Sequence, residues 1–193
     1  MLSVELSKLP GMSGARALSA RDRAQLEAGA AAVIVCEPAA SALFISPRQI
    51  ASGSPVFDRF VIEPLLRLKG LLDDAGADLV LHDCGELVTP MVEALAGRVR
   101  PAVLSLGSSR RLWEDAAVVP EDVVFYGNLP TRHFYSDETL PLERVRELTR
   151  ALVGRMREIG RPFILGSECD VLHVPEAAET IRAKVAAMLS EPA

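Results

Sequence analysis

The sequence predicts an α/β fold with a parallel sheet, on three observations. Short apolar runs alternate with helical patterns along most of the 193 residues. The runs are near-continuous in Val, Ile and Leu, as expected of strands buried on both faces. Chemically capable residues recur just past the ends of the runs: Cys36-Glu37, His82 to Cys84, Ser105 to Gly107, Gly127-Asn128 and Ser167 to Cys169. Parallel β/α folds gather their sites beyond the carboxyl ends of strands, so these termini would share one rim.

The elements follow in order. Ala17 to Glu27 is rich in helix formers and Gly29 can break it, so residues 1–28 read as a helical lead-in. No strand is legible between Met1 and Ala20. Ala32 to Cys36 is a buried strand, ended by Glu37-Pro38. Val61 to Asp74 is amphipathic, with Ile62, Leu65, Leu66 and Leu68 on its apolar side. Asp78 to Cys84 reads as the next strand and Pro90 to Leu95 as a short helix. Ala102 to Ser105 and Asp122 to Tyr126 are two further strands. Leu142 to Ile159 is a long amphipathic helix, Phe163 to Leu165 a strand, and Glu176 to Leu189 a closing helix with Pro175 near its start. With no internal repeat and no low-complexity linker, residues 1–193 form a single domain.

Composition narrows the function. The formal net charge is −5 with acids and bases interspersed, and no basic patch carries interleaved aromatics, which argues against nucleic acid. Apolar stretches are broken well before ~18 residues, which argues against a membrane span. Met1 to Lys8 lacks the long apolar segment of a secretory signal. Three cysteines are too few for a disulfide scaffold. Together these predict a cytoplasmic protein.

The sharpest motif is His82-Asp83-Cys84. On a strand, residues two apart share a face, so His82 and Cys84 project together. Imidazole and thiolate are ligands that zinc favours, at about 2.0–2.3 Å. Cys169, just past a later strand, is a third candidate. Three protein ligands leave one position open, the arrangement of catalytic zinc. The competing reading makes His82 and Cys84 a half-buried polar pair, with cysteine acting as a small hydrophobe.

With those residues placed, the stretch from about Gly29 to Leu189 resembles the carboxyl-terminal portion of the uroporphyrinogen decarboxylase superfamily. Glu37-Pro38-Ala39-Ala40-Ser41 and Ile45-Ser46-Pro47 resemble the family's acidic turn and Ser-Pro helix start. Leu81-His82-Asp83-Cys84-Gly85 is similar to the His-x-Cys-Gly of the cobamide-dependent methyltransferase branch. Tyr126-Gly127-Asn128-Leu129-Pro130 resembles the Gly-Asn-Leu-(Asp)-Pro turn, with Pro130 where an acid is usual. Gly166-Ser167-Glu168-Cys169 falls where that branch carries its second cysteine.

The resemblance implies a partial (β/α)8 TIM barrel, about the last five β/α units. It implies zinc on His82, Cys84 and Cys169, and methyl transfer between a corrinoid and a thiol. The corrinoid is expected on a separate carrier protein docking at the carboxyl rim. A tetrapyrrole decarboxylase is the alternative; as the family is known, decarboxylases carry no metal and commonly have histidine where Cys169 stands. A third reading is a non-catalytic subunit. An open barrel portion would expose edges around Val33 to Val35 and Phe163 to Leu165. A second copy, a separate subunit or a missing amino-terminal half is expected to cover them.

Several rim residues keep two readings. Glu37 is a candidate catalytic group, as a displaceable fourth ligand or an orienter of His82, or else a turn former. Asn128 is a catalytic candidate or holds its own turn. Ser108 and Arg110, in Ser108-Ser109-Arg110-Arg111, are candidates to bind an anionic group of cofactor or substrate, or form a solvated loop. Cys36 reads as core or as a replacement ligand, and Glu168 and Asp170 as neighbours of the metal ligands. His133 and His173 read as surface residues, and Trp113 as packing a helix onto the exterior.

Overall fold

Burial alternates along the strands, and the alternation defines two unlike faces. The computed structural model describes residues 3–5 and 20–190. In β2 (Ala32–Cys36) Val33 and Val35 are buried, whereas Ile34 and Cys36 are half-buried. In β3 (Asp78–Asp83) Leu79, Leu81 and Asp83 are buried, and Val80 and His82 are half-buried. Side chains point alternately to opposite sides of a strand, so one face is packed and the other partly open.

The sheet contains β1 (Ser3–Glu5), β2, β3, β4 (Val103–Leu106), β5 (Val124–Leu129) and β6 (Phe163–Ser167), in chain order. Every neighbouring pair is parallel. Each connection steps to the adjacent strand in the same direction. Right-handed crossovers then place all the helices on one face, as around a barrel, rather than on both faces of a doubly wound sheet. This is an α/β fold with the topology of a partial TIM barrel.

Local chemistry explains the helices. Helix α2 (Pro47–Ala51) starts with a capping box: Ser46 Oγ accepts from the Gln49 N–H, and Gln49 Oε1 accepts from the Ser46 N–H. Pro47 occupies the first turn, where its missing N–H costs nothing. Helix α3 (Glu63–Asp74) continues a π turn over Asp58–Ile62 and buries Leu65 and Leu72. Helix α4 (Thr89–Ala94) runs on through a π turn, Leu95–Val99. Helix α6 (Leu142–Glu158) buries Val145, Thr149, Leu152, Val153 and Met156, one stripe at helical spacing. α1 (Ala20–Glu27), α5 (Leu112–Asp115) and α7 (Ala178–Ser190) complete the set. No helix among the described residues is long and apolar enough to cross a membrane.

Two readings of the sequence need correction. Residues 1–28 read as a helical lead-in with no strand legible between Met1 and Ala20, but Ser3–Glu5 pairs in parallel with Ile34–Cys36 and covers that edge of β2. Three residues are too few to show a period, so only the pairing reveals them. Strand β5 also extends past Tyr126 to Leu129, because Gly127, Asn128 and Leu129 pair with Leu165, Gly166 and Ser167. Asn128 therefore sits in a strand end rather than a free turn.

Leu81 lies at 0 % exposure in the central strand. Leu81→Ala should destabilise the fold by about 2–5 kcal/mol. Urea unfolding should show a lower midpoint with an unchanged slope; an unchanged midpoint would contradict this packing.

Candidate metal centre

Parallel register builds the site in rows. Cys36 lies beside His82, His82 beside Ser105, and Ser105 beside Tyr126 across successive strands. His82 is the penultimate residue of β3, and Cys84 follows the strand on the same side. Cys169 arrives from the other edge, two residues past β6. The Glu168 N–H donates to the Leu129 carbonyl at 2.8 Å, so the β5–β6 ladder carries Cys169 onto the rim. The ligand atoms of His82, Cys84 and Cys169 lie within 4.8 Å of one another, and all three residues are half-buried.

The remaining bonds suit this group to a metal. His82 Nδ1 bonds the Ser105 hydroxyl at 2.8 Å, which leaves Nε2 for a ligand. Burial lowers the His82 pKa, helped by Arg132 and opposed by Asp170, so the ring is neutral, the form that binds metals. Burial pushes the Cys84 thiol up to about 12, with Cys169 and Asp83 adding to the shift and Arg132 opposing it. A thiol so placed ionises readily only beside a stronger cation, which a metal ion provides.

Arg132 is the residue that sequence reasoning missed. Its Nη2 donates to Cys169 Sγ at 3.1 Å and to Cys84 Sγ at 3.5 Å. It stands in the 3₁₀ turn Thr131–His133, after β5, and nothing in its local sequence signals the cysteines. Ser105 was also given no role, although strand register was the signal that could have supplied one.

Close packing at the rim depends on two glycines. A Cβ on Gly85 would lie 2.9 Å from Ser41 Cβ and 3.0 Å from the Pro38 carbonyl oxygen. A Cβ on Gly107 would lie 3.2 Å from the Cys84 carbonyl oxygen. Hydrogen at these positions lets the neighbouring loops meet around Cys84.

The other expected site residues make bonds to the scaffold. Asn128 Nδ2 donates to the carbonyls of Gly107 at 2.8 Å and Arg110 at 2.9 Å, fixing the loop after β4. Arg110 pairs with Asp115, donates to the Leu87 carbonyl at 3.0 Å and reaches Thr89 Oγ1 at 3.3 Å. Both Ser108 N–H and Ser108 Oγ donate to Glu168 Oε2. Exposed Ser108 and half-buried Arg110 are thus tied into the loop after β4 by these bonds. Glu37 is buried; its N–H donates to the His82 carbonyl at 2.9 Å, and its carboxyl is not part of the three-residue group. Cys36 also lies outside that group.

Two carboxyl groups, Asp83 and Glu37, are buried at the ends of β3 and β2. Asp83 is fully buried; its Oδ1 accepts from the Gly85 N–H at 2.8 Å, and its Oδ2 has no hydrogen-bond partner among the described residues. Burial raises its pKa well above the usual carboxylate range, against the Gly85 bond, and Glu37 adds to the rise. Burial raises Glu37 as well.

The fold and rim define a class: a parallel β/α barrel portion with a thiol–imidazole cluster at the carboxyl ends of its strands. The uroporphyrinogen decarboxylase (URO-D) family profile matches residues 15–189, and the chain belongs to that family. No curated protein matches it.

Two predictions follow from these contacts. Half-buried Arg110 pairs with buried Asp115, their side chains 18 % and 2 % exposed. Arg110→Met should cost about 3 kcal/mol or more, because it strands a buried carboxylate, and thermal unfolding measures it. For Asp83 the folded chain keeps a proton that the unfolded chain, titrating near 3.8, has lost. Stability is then highest below that value and falls as pH rises toward the raised folded pKa. Asp83→Asn keeps the Oδ1 acceptor but cannot ionise. Wild type should lose stability relative to it by on the order of 1 kcal/mol per pH unit across that window. Parallel stability curves would refute a protonated Asp83.

Proposed function

We propose that this chain is a zinc-dependent, methyltransferase-like member of its family, moving a methyl group between a corrinoid and a thiol-type acceptor. One observation carries the reading: one nitrogen and two sulfur ligands within 4.8 Å, on the carboxyl rim of a parallel β/α fold. His82, Cys84 and Cys169 would hold the ion. Ser105 fixes the imidazole so that it offers Nε2, and burial keeps that ring neutral. Glu37, buried next to His82, supports the strand end through its main chain. Zinc would supply the Lewis acidity that keeps an acceptor thiol ionised near neutral pH, and a corrinoid on a carrier protein would supply the methyl group.

Two features support partners. Leu43 and Phe44, 78 % and 74 % exposed, stand on the loop between β2 and α2, an apolar surface suited to a carrier. Strand β6 ends the sheet, and its Ile164 is 47 % exposed. A second copy or a barrel-completing subunit would cover this edge and the half-open inner face. Thiolate ligands and uncrosslinked cysteines fit a reducing cytoplasm.

Metal analysis tests the reading. Purified under reducing, chelator-free conditions, wild type should carry about one zinc per chain, and Cys84→Ala and Cys169→Ala should each lose it. Folded wild type that takes up no zinc would overturn the proposal.

A further inference from the structure

We propose that Arg132 is a positioning residue for the sulfur pair: its N–H···S bonds draw electron density from Cys169 and Cys84, steering an alkyl group to the acceptor instead of to the protein. This inference rests on the methyl-transfer reading above. In such a site three sulfurs compete for one methyl group: the acceptor's and those of the two cysteines. A thiolate ligand is itself a nucleophile. Were Cys84 or Cys169 methylated, a neutral thioether would replace an anionic ligand and the site would fail. Hydrogen bonds from a cation are the stronger kind, and donors around metal ligands tune those ligands.

The placement of Arg132 is built into the fold. Its turn is held from several directions. Thr131, 1 % exposed, donates its hydroxyl to the Cys169 carbonyl at 3.1 Å, tying the turn to the loop that carries the sulfur. Phe134 is fully buried behind it. Further along the same loop, buried Lys184 from α7 donates to the Ser136 carbonyl and pairs with Asp137, each at 2.9 Å. Glu168, an acidic neighbour that could draw the guanidinium away, accepts from Ser108 instead. Arg132 is therefore directed at the sulfurs by three anchors, although its side chain is solvent-accessible.

The test uses zinc-loaded protein and iodomethane, with no added thiol. At a cysteine, the sulfur–carbon bond forms, the carbon–iodine bond breaks and iodide leaves. Methylation at Cys84, Cys169 and Cys36 is followed by peptide mass spectrometry in wild type, Arg132→Met and Arg132→Lys, with zinc measured on the same samples. Arg132→Met should methylate about five to ten times faster at Cys169, and less so at Cys84, whose bond is longer. Cys36 should not change, and Arg132→Lys, which keeps a cationic donor, should fall between. With cobalt(II) in place of zinc, the sulfur-to-metal charge-transfer band should move to lower energy in Arg132→Met. Equal methylation rates in zinc-loaded wild type and Arg132→Met would overturn the role of Arg132 and leave the zinc reading standing. If Arg132→Met loses its metal, the comparison of wild type with Arg132→Lys decides by the same criterion. Wild type that binds no zinc would overturn the underlying reading, and this inference with it.

Discussion

The pairing of β3 with β4 sets His82 directly across from Ser105, and the rest of the site depends on that register. A one-residue slip would turn His82 and Cys84 toward the helices and bring Asp83 to the inner face. The slip is prevented by Leu79 and Leu81, both fully buried on the packed face. Core packing thus orients the imidazole. The apolar residues and the candidate ligands interleave along one strand, so the same alternation that closes the core presents the chemistry.

Two kinds of ionisable group surround the cluster. Asp83 and Glu37 lie buried, and burial raises both pKa values. Beside the sulfurs, Arg132 brings a positive charge from the outside. The three donor atoms that lie within 4.8 Å of one another are nitrogen and sulfur, and neither carboxyl is among them. Loops converge on this point because glycine at 85 and 107 allows contacts that a side chain would block.

The two faces of the sheet differ. Its inner row, running from Ile34 through Val80 and Val103 to Val124, is apolar and half-buried. Parallel sheets ordinarily cover both faces, and here the helices lie on one. Among the described residues β1 ends the sheet on one side and β6 on the other. The same inner face leads up to His82.

Much of this was legible in the residues. The apolar runs located five of the six strands, because buried parallel strands need near-continuous Val, Ile and Leu. The His-x-Cys spacing placed His82 and Cys84 on one face, because the strand period is two whatever the fold. The short strand at Ser3–Glu5 was illegible, since its length carries no period and its pairing is non-local. Asn128, Ser108 and Arg110 were marked as site residues by their position at strand ends. Their hydrogen bonds hold the loop after β4 together, through partners 18 to 60 residues away or in the adjacent helix. The approach of Cys169 to Cys84, and of Arg132 to both, is likewise decided only in three dimensions. The sequence by itself determined which elements form and which donor atoms each strand end offers, because these follow from local periodicity and side-chain chemistry. Tertiary structure decided which of those atoms meet, because that depends on the register and order of strands far apart in the chain.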